Sequence, residues 1–381
     1  MTGPRRRLHW ALTHAADRAI SFNFQAARVT AALARAGWEV IILAPGETPV
    51  SDEWTSGGRR VLSLPKDPDG ASVRRLFEAE GAEHVVYLGH PDQLPWLADL
   101  AGTGVTVWWW AQASSARSLG LPPEGVPYRA VPLTPKSREH LLRWAAPPGS
   151  RARVTAPIPH AVAGAAPVAE GERRDAKRLH GCEGRFVVGS VGVHTARKQL
   201  PRLLGAYAAV ERTLPEAMLL LKTTAEAKDG GPNLRTLASA LGIRNLTIEE
   251  GRRTEGEMRR LYVAMDLYVH AAEWEGFGIP VAEAMAHGVP ALVPRSQGPG
   301  EWVPDARFRI DAAETIPSNE RDPEASPLVH VDPAALAARI LALARNPAER
   351  NKMSATARDH AARRFAPEVV AGLWTRVLLE G

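Results

Sequence analysis

Glu273-Trp274-Glu275-Gly276-Phe277-Gly278-Ile279-Pro280-Val281-Ala282-Glu283-Ala284-Met285-Ala286-His287-Gly288-Val289-Pro290 follows a short apolar run, Leu267 to His270. Pro280 suits the first turn of a helix, Gly288 its C-terminal stop, and Pro290 forbids continuation, which gives a short helix from about Pro280 to His287. Strand, loop and helix in this order are the repeating unit of a parallel α/β sheet. Glu275 falls in the loop and Glu283 on the first full turn. Gly276 and Gly278 leave backbone N–H groups accessible beside the helix N-terminus, where an anion or a ring of hydroxyls can be held. For either glutamate alone, complementing the helix dipole or sitting in solvent is the simpler account. The spacing and the glycines together favour a polyhydroxylated, phosphorylated ligand, whose hydroxyl pairs two carboxylates can accept.

Outward from this stretch the same alternation recurs. In the second half, Phe186 to Val191, Met218 to Leu221 and Leu246 to Ile248 read as strands, with helices from about Leu200 to Glu211 and Asn233 to Leu241. In the first half, Leu8 to Thr13, Val40 to Ala44, Val85 to Leu88, Val105 to Trp110 and Val154 to Ile158 read as strands, with a helix over Phe24 to Ala36. The run Trp108-Trp109-Trp110 suits a strand buried on both faces, with at least two rings in the core. Ala161 to Arg178 has the Ala, Gly, Pro and charge content of a linker. The expected organisation is an α/β chain of two Rossmann-like domains facing a cleft, 1–165 and 166–365. A C-terminal helix within 366–381, around Pro367 to Leu379, is expected to cross back to the first domain.

Gly189 to Leu200 ends a strand and carries Arg197 and Lys198 close to a helix start, where the macrodipole disfavours cations unless an anion lies between them. Both side chains are expected to face solvent. Gly189-Ser190-Val191-Gly192 does not complete a dinucleotide-binding glycine pattern, which excludes NAD. Asp67-Pro68-Asp69 reads as a turn and not as a metal site. The twelve histidines show no close ligand spacing, and no metal or other cofactor is expected.

The pattern Glu275-Gly-Phe-Gly-x-Pro-x-x-Glu283-Ala-Met-Ala-x-Gly-x-Pro resembles the signature of retaining GT-B glycosyltransferases of family GT4, the glycosyl transferases group 1. Matching segments follow along nearly the whole chain. The resemblance implies that Glu283 binds the nucleotide ribose, that Glu275 touches the donor sugar, and that Arg197 and Lys198 neutralise the donor diphosphate. It further implies a donor site including Gly192, Gly276, Phe277, Gly278 and Ile279, with Gly251 and Arg252 near the base. Gln297-Gly298-Pro299-Gly300-Glu301-Trp302 resembles a turn near the sugar and phosphate, and Val329 to Asp332 the strand-to-helix entry after it. The implied reaction is hexosyl transfer, without metal, from a nucleotide diphosphate sugar (UDP- or GDP-linked) to an acceptor hydroxyl, with retention. A small metabolite, glycan or lipid is the default acceptor.

Two departures concern the acceptor side. Thr13 to Phe22 contains no glycine where many family members have a glycine-rich turn. Gln112 stands where many have a histidine, and an amide positions a hydroxyl but cannot take its proton. His14, Asp17 and His90 are therefore acceptor-side candidates beside Gln112, with His14 and Gln112 also counted as catalytic candidates. The departures leave one rival reading, a nucleotide-sugar-binding protein without transfer, and the basic, Arg-rich chain leaves a second, a glycosyltransferase acting on a nucleic acid.

Composition bounds these readings. With 381 residues, 45% hydrophobic and 23% charged, the chain holds two or three ordinary domains. The net charge of +5, with 40 Arg against 7 Lys, suits an anionic ligand or an acidic membrane surface without choosing between them. One cysteine, Cys182, excludes an intramolecular disulfide, so the reducing cytoplasm is the expected location. No apolar run reaches the ~18 residues of a membrane span.

Overall fold

The computed structural model describes residues 6–16, 21–46, 52–65, 68–90, 93–112, 126–144, 153–164, 167–296, 298–316 and 327–380. The chain divides into two compact units, residues 1–162 with 364–381, and residues 163–363. The cut lies three residues before the 165 boundary read from composition.

The first unit holds β1 (Arg7–Ala11), α1 (Ser21–Arg35), β2 (Glu39–Pro45), α2 (Asp52–Thr55), β3 (Arg60–Leu64), α3 (Gly70–Ala79), β4 (His84–Leu88), β5 (Thr106–Ala111), β6 (Tyr128–Pro132), α4 (Pro135–Trp144) and β7 (Arg153–Val154). Its strands form one sheet in the order β3-β2-β1-β4-β5-β6-β7, with every pairing parallel. Helices cover both faces of a parallel sheet, so its central strands are apolar throughout. All three rings of Trp108, Trp109 and Trp110 are accordingly buried. The expectation of a strand over Val154 to Ile158 is corrected to the two residues of β7. Beyond them the chain keeps two backbone bonds to β6, from Thr155 N–H to the Ala130 carbonyl and from Ile158 N–H to the Pro132 carbonyl. β3 and β6 escaped the sequence reading because polar residues interrupt their apolar content.

The second unit runs through α5 (Glu170–Leu179), β8 (Phe186–Val191), α6 (Leu200–Thr213), β9 (Ala217–Lys222), α7 (Leu234–Ala240), β10 (Leu246–Glu249), α8 (Glu255–Ala264), β11 (Leu267–Val269), α9 (Ile279–Ala286), β12 (Ala291–Pro294), α10 (Pro299–Trp302), β13 (Arg309–Ile310), β14 (Ala312–Ile316), β15 (Leu328–Val331), α11 (Pro333–Arg345) and most of α12 (Pro347–Phe365). Its sheet has the order β10-β9-β8-β11-β12-β13, again parallel, and β14 and β15 form a separate antiparallel pair. The linker expectation for Ala161 to Arg178 is corrected by α5, a helix that buries only Ala176. Ion pairs fix it: Arg259 reaches Glu172 at 2.8 Å and Lys177 reaches Asp266 at 2.6 Å.

Side-chain caps define the helix starts: Asp69 accepts from Ser72 N–H, Asn233 from Arg235 and Thr236, and Thr254 with Glu257 closes a capping box on α8. After Arg363 the chain rejoins the first unit, where α13 (Pro367–Glu380) packs on α1. Trp374 of α13 meets the rings of Trp10, Trp108 and Trp110 edge-on, and Trp38 Nε1 donates to Thr375 Oγ1 at 3.0 Å. Both units are Rossmann-like, as the alternation of strands and helices implied.

Candidate functional site

In each sheet the strand order reverses direction beside its first strand, between β1 and β4 and between β8 and β11. Loops leaving such a switch point splay apart at the strand C-termini and make a crevice for ligands. In the second unit the loop after β8 carries Arg197 and Lys198, and the loop after β11 carries His270 to Gly278. The structure brings these together although 77 residues separate Lys198 from Glu275.

Glu275 is the centre of the cluster. Lys198 Nζ donates to its Oε1, Arg197 Nη1 lies 2.9 Å from the same oxygen, and His270 Nε2 is 3.8 Å away. Burial works to raise the carboxyl pKa, but Lys198 and Arg197 outweigh it and hold the group at about 2. Burial drives the His270 imidazole down to about 3 against the pull of Glu275, so it is neutral near pH 7. The cluster therefore carries two cations and one anion. Arg197 is further fixed by donating to the Trp274 carbonyl at 2.8 Å, with its guanidinium 4.6 Å from the Trp274 ring centroid. The expectation that Arg197 and Lys198 face solvent is thereby corrected: Lys198 is only 14% exposed in its side chain, and both point at Glu275.

The turn holding these cations is a short 3₁₀ segment, Ala196–Lys198, ended by Gln199 at φ +51°. A left-handed conformation in a non-glycine residue costs about 1 to 3 kcal/mol and persists only when its surroundings hold it. Gln199 Nε2 donates to the Ala196 carbonyl and, at 2.6 Å, to Glu273 Oε1. His330 Nε2 sits 2.8 Å from the same oxygen, and Arg202 joins Gln199 to His330. Sequence reasoning missed Glu273, Gln199 and His330 as a group, because three separate segments supply them.

Gly192 follows β8, and a Cβ placed on it would lie 3.4 Å from Lys198 Cε, so the backbone approaches the ammonium stem closely. Gly278 takes φ +85° directly before α9, and Gly298 takes φ +86° with its Cα backed onto the Glu275 carbonyl. Phe277 is buried against Trp302, whose Nε1 donates to the Phe277 carbonyl at 2.9 Å. Gly276 and Glu283 are partly exposed, and Pro280 stands in the first turn of α9, which begins at Ile279. Glu283 accepts from Tyr262 Oη at 2.9 Å. Tyr268, buried between β8 and the loop, shares its hydroxyl with the Val191 backbone, and burial pushes its pKa up. Neither tyrosine was singled out from sequence, since aromatic residues on strands and helices are usually core. Gly251 and Arg252 lie exposed after β10, where Lys222 Nζ donates to the Gly251 carbonyl at 2.5 Å.

In the first unit, His14 follows β1, His90 follows β4 and Gln112 follows β5, three adjacent strands. His14 Nδ1 lies 3.1 Å from Thr13 Oγ1 and its ring meets Phe22. The His90 N–H donates to Gln93 Oε1 at 2.9 Å. Asp17 and Asp67 lie outside the described residues, and Asp69 serves as the α3 cap. Gln112 Nε2 is 3.0 Å from Nε2 of His160, which sequence reasoning missed. Burial holds His160 at a pKa of about 3, and its ring packs on Trp110 at 4.9 Å. Among the described residues, no three His, Cys, Asp or Glu side chains are grouped to hold a metal.

The chain is similar to several known proteins. The mannosylfructose-phosphate synthase of Agrobacterium fabrum is 27% identical over 132 residues, 33% of this chain and 29% of that protein. The GDP-mannose-dependent alpha-mannosyltransferase of Mycobacterium tuberculosis is 32% identical over 123 residues, 32% of this chain and 28% of that protein. The chain thus spans less than a third of the length of the curated relatives it matches. Among solved structures, Anabaena HepE in complex with UDP and glucose aligns with a TM-score of 0.72 and 14% identity, over 99% of this chain and 100% of that one. Sucrose-phosphate synthase of Thermosynechococcus elongatus aligns with a TM-score of 0.73 and 16% identity, over 99% of each chain. These structures share the fold of two Rossmann-like units. Residues 172–360, nearly all of the second unit including the Glu275 loop and the Glu283 helix, match the family described as glycosyl transferases group 1.

Proposed function

We propose that the chain is a glycosyltransferase that moves a hexosyl group from a nucleoside diphosphate sugar, UDP- or GDP-linked, to a hydroxyl of a small metabolite, glycan or lipid, with retained anomeric configuration. The observation that carries this reading is the gathering of Arg197, Lys198 and Glu275 at the β8/β11 switch point, one helix start away from Glu283. A diphosphate beside Gly192 would share the two cations with Glu275. The developing charge of the departing nucleoside diphosphate is then met by groups already in place, which is where electrostatic catalysis gains most. Glu283, steadied by Tyr262, would accept the ribose hydroxyls, and Glu275 a sugar hydroxyl. Divalent metal is not required on this reading, since protein cations supply the neutralisation. The GDP-mannose donor of the mycobacterial relative and the UDP bound to the Anabaena structure support a nucleotide of this kind.

Gln112 paired with neutral His160 supports the rival reading, binding without transfer, because an amide cannot take the acceptor proton. A thermal-shift screen of UDP, GDP, ADP and dTDP sugars, followed by a transfer assay in EDTA, decides between them. Stabilisation by one donor with product formed in chelator is the expected result. Stabilisation without turnover, including turnover to water, would favour the rival. Activity lost in EDTA and restored by Mg²⁺ or Mn²⁺ would remove the metal-independent mechanism.

A further inference from the structure

Trp108, Arg129 and Arg153 are register partners across β5, β6 and β7, so their side chains emerge in one row on one face of the sheet. Two like charges directly opposite on neighbouring strands are unfavourable by themselves. Arg129 is nevertheless partly buried, with its guanidinium 5.3 Å from the Trp108 ring centroid, and burial together with Arg153 lowers its pKa. The same face is covered by α13, which brings a third guanidinium, Arg376, to the rim of a cavity of about 330 Å³. Val154, Pro157 and Leu373 supply apolar wall, and Glu380 is the one carboxylate among the described lining residues. Arg153 and Arg376 are exposed and form no ion pair among the described residues. All residues lining the cavity belong to the first unit.

We propose that this cavity is a second anion site, which takes a phosphate monoester carried on an apolar or ring-bearing stem. Three arginines lining one cavity can supply charged donors to the oxygens of a phosphate, and Trp108 with the apolar lining can take the stem. The volume lies at the lower end of small-ligand pockets, enough for one phosphorylated ring or the headgroup of a phosphatidic-acid-type lipid. The site is independent of donor binding and stands or falls separately from it.

Calorimetric titration of the full chain with phenyl phosphate, and flotation with phosphatidylcholine vesicles with and without phosphatidic acid, test the assignment. Arg153→Ala/Arg376→Ala should weaken phenyl phosphate binding roughly tenfold or more, since each charged contact is replaced by none. Lys198→Ala, which alters the second unit alone, should leave it intact. Both substituted arginines are exposed, and an unchanged melting temperature verifies that the double variant is folded. Vesicle binding that requires phosphatidic acid and fails in the double variant would assign the phosphate to a lipid, and phenyl phosphate binding alone would assign it to a soluble ester. Unchanged binding in the double variant, loss in Lys198→Ala instead, or no binding of either probe overturns the proposal.

Discussion

Lys198 and Glu275 illustrate what a buried charge pair demands. Removing one partner from such a pair costs about 3 to 5 kcal/mol when the other is left uncompensated, and less where a second cation remains. Arg197 remains, so Lys198→Ala is expected to lower the melting temperature of the second unit moderately, and adding Glu275→Gln should recover part of the loss. Equal melting of the wild type and Lys198→Ala in differential scanning calorimetry would show that the pair contributes nothing to the fold. Compared below the melting transition, Lys198→Ala and Arg197→Ala should each lower turnover by roughly a hundredfold while changing donor affinity less, because their contacts strengthen as the leaving group gains charge. Arg197 and Lys198 stood out in the sequence because cations beside a helix start are unfavourable unless an anion lies between them, and because their segment resembles that of a glycosyltransferase family. Their partner was not legible, because Glu275 is supplied by another strand and only the strand order brings it within reach. His270 was equally visible as the end of an apolar run, but its role depends on the carboxylate it faces.

The loop before α9 and the α10 turn fit together through two glycines at positive φ. A Cβ on Gly298 would stand 2.6 Å from the Glu275 carbonyl oxygen, and one on Gly278 would stand 2.3 Å from Pro299 Cγ. Gly298→Ala should therefore displace the Glu275 backbone and destabilise the second unit by more than the ~1 kcal/mol of left-handed strain alone. Gly372→Ala in α13 is the counterpart: nothing lies within 4 Å of its Cβ, so it should stabilise the protein by about 0.5 to 1 kcal/mol. Chemical denaturation of both variants checks the contrast, and a neutral Gly298→Ala would show that the two loops are not locked. At this scale, elements with an apolar run closed by glycine or proline were readable, as β8, α9 and α13 were. α5 was not, because a helix that buries one alanine and holds on by Arg259–Glu172 and Lys177–Asp266 has the composition of a solvated linker.

Across the whole molecule, buried ionisable groups set the response to acid. Burial lowers His9 from 6.5 to about 4, and lowers His160 and His270 from 6.5 to about 3. Below about 6.5 the unfolded chain takes up protons that the folded chain refuses, so stability falls as the pH drops toward those folded values. Each histidine contributes a slope of about 1.4 kcal/mol per pH unit in that window. His9 and His160 lie in the first unit, where burial also lowers His84, and His270 lies in the second, so the first unit should weaken more steeply on acidification from pH 6 to pH 5. Glu275 adds stability above its unfolded value of 4.5, which is lost as the pH falls from there to about 2. Unit-resolved hydrogen exchange across this range tests the ranking, and equal slopes would mean that the first-unit histidines titrate normally. The most direct test of the central claim, that Glu283 and the Arg197–Lys198 pair form a nucleoside diphosphate site, is calorimetric titration of UDP and GDP in EDTA into the wild type and Glu283→Ala. Binding of one nucleotide that weakens about ten- to a hundredfold in the variant is the result predicted from losing charge-assisted ribose contacts. Equal affinity in the two proteins, or no binding of either nucleotide without added metal, would contradict it.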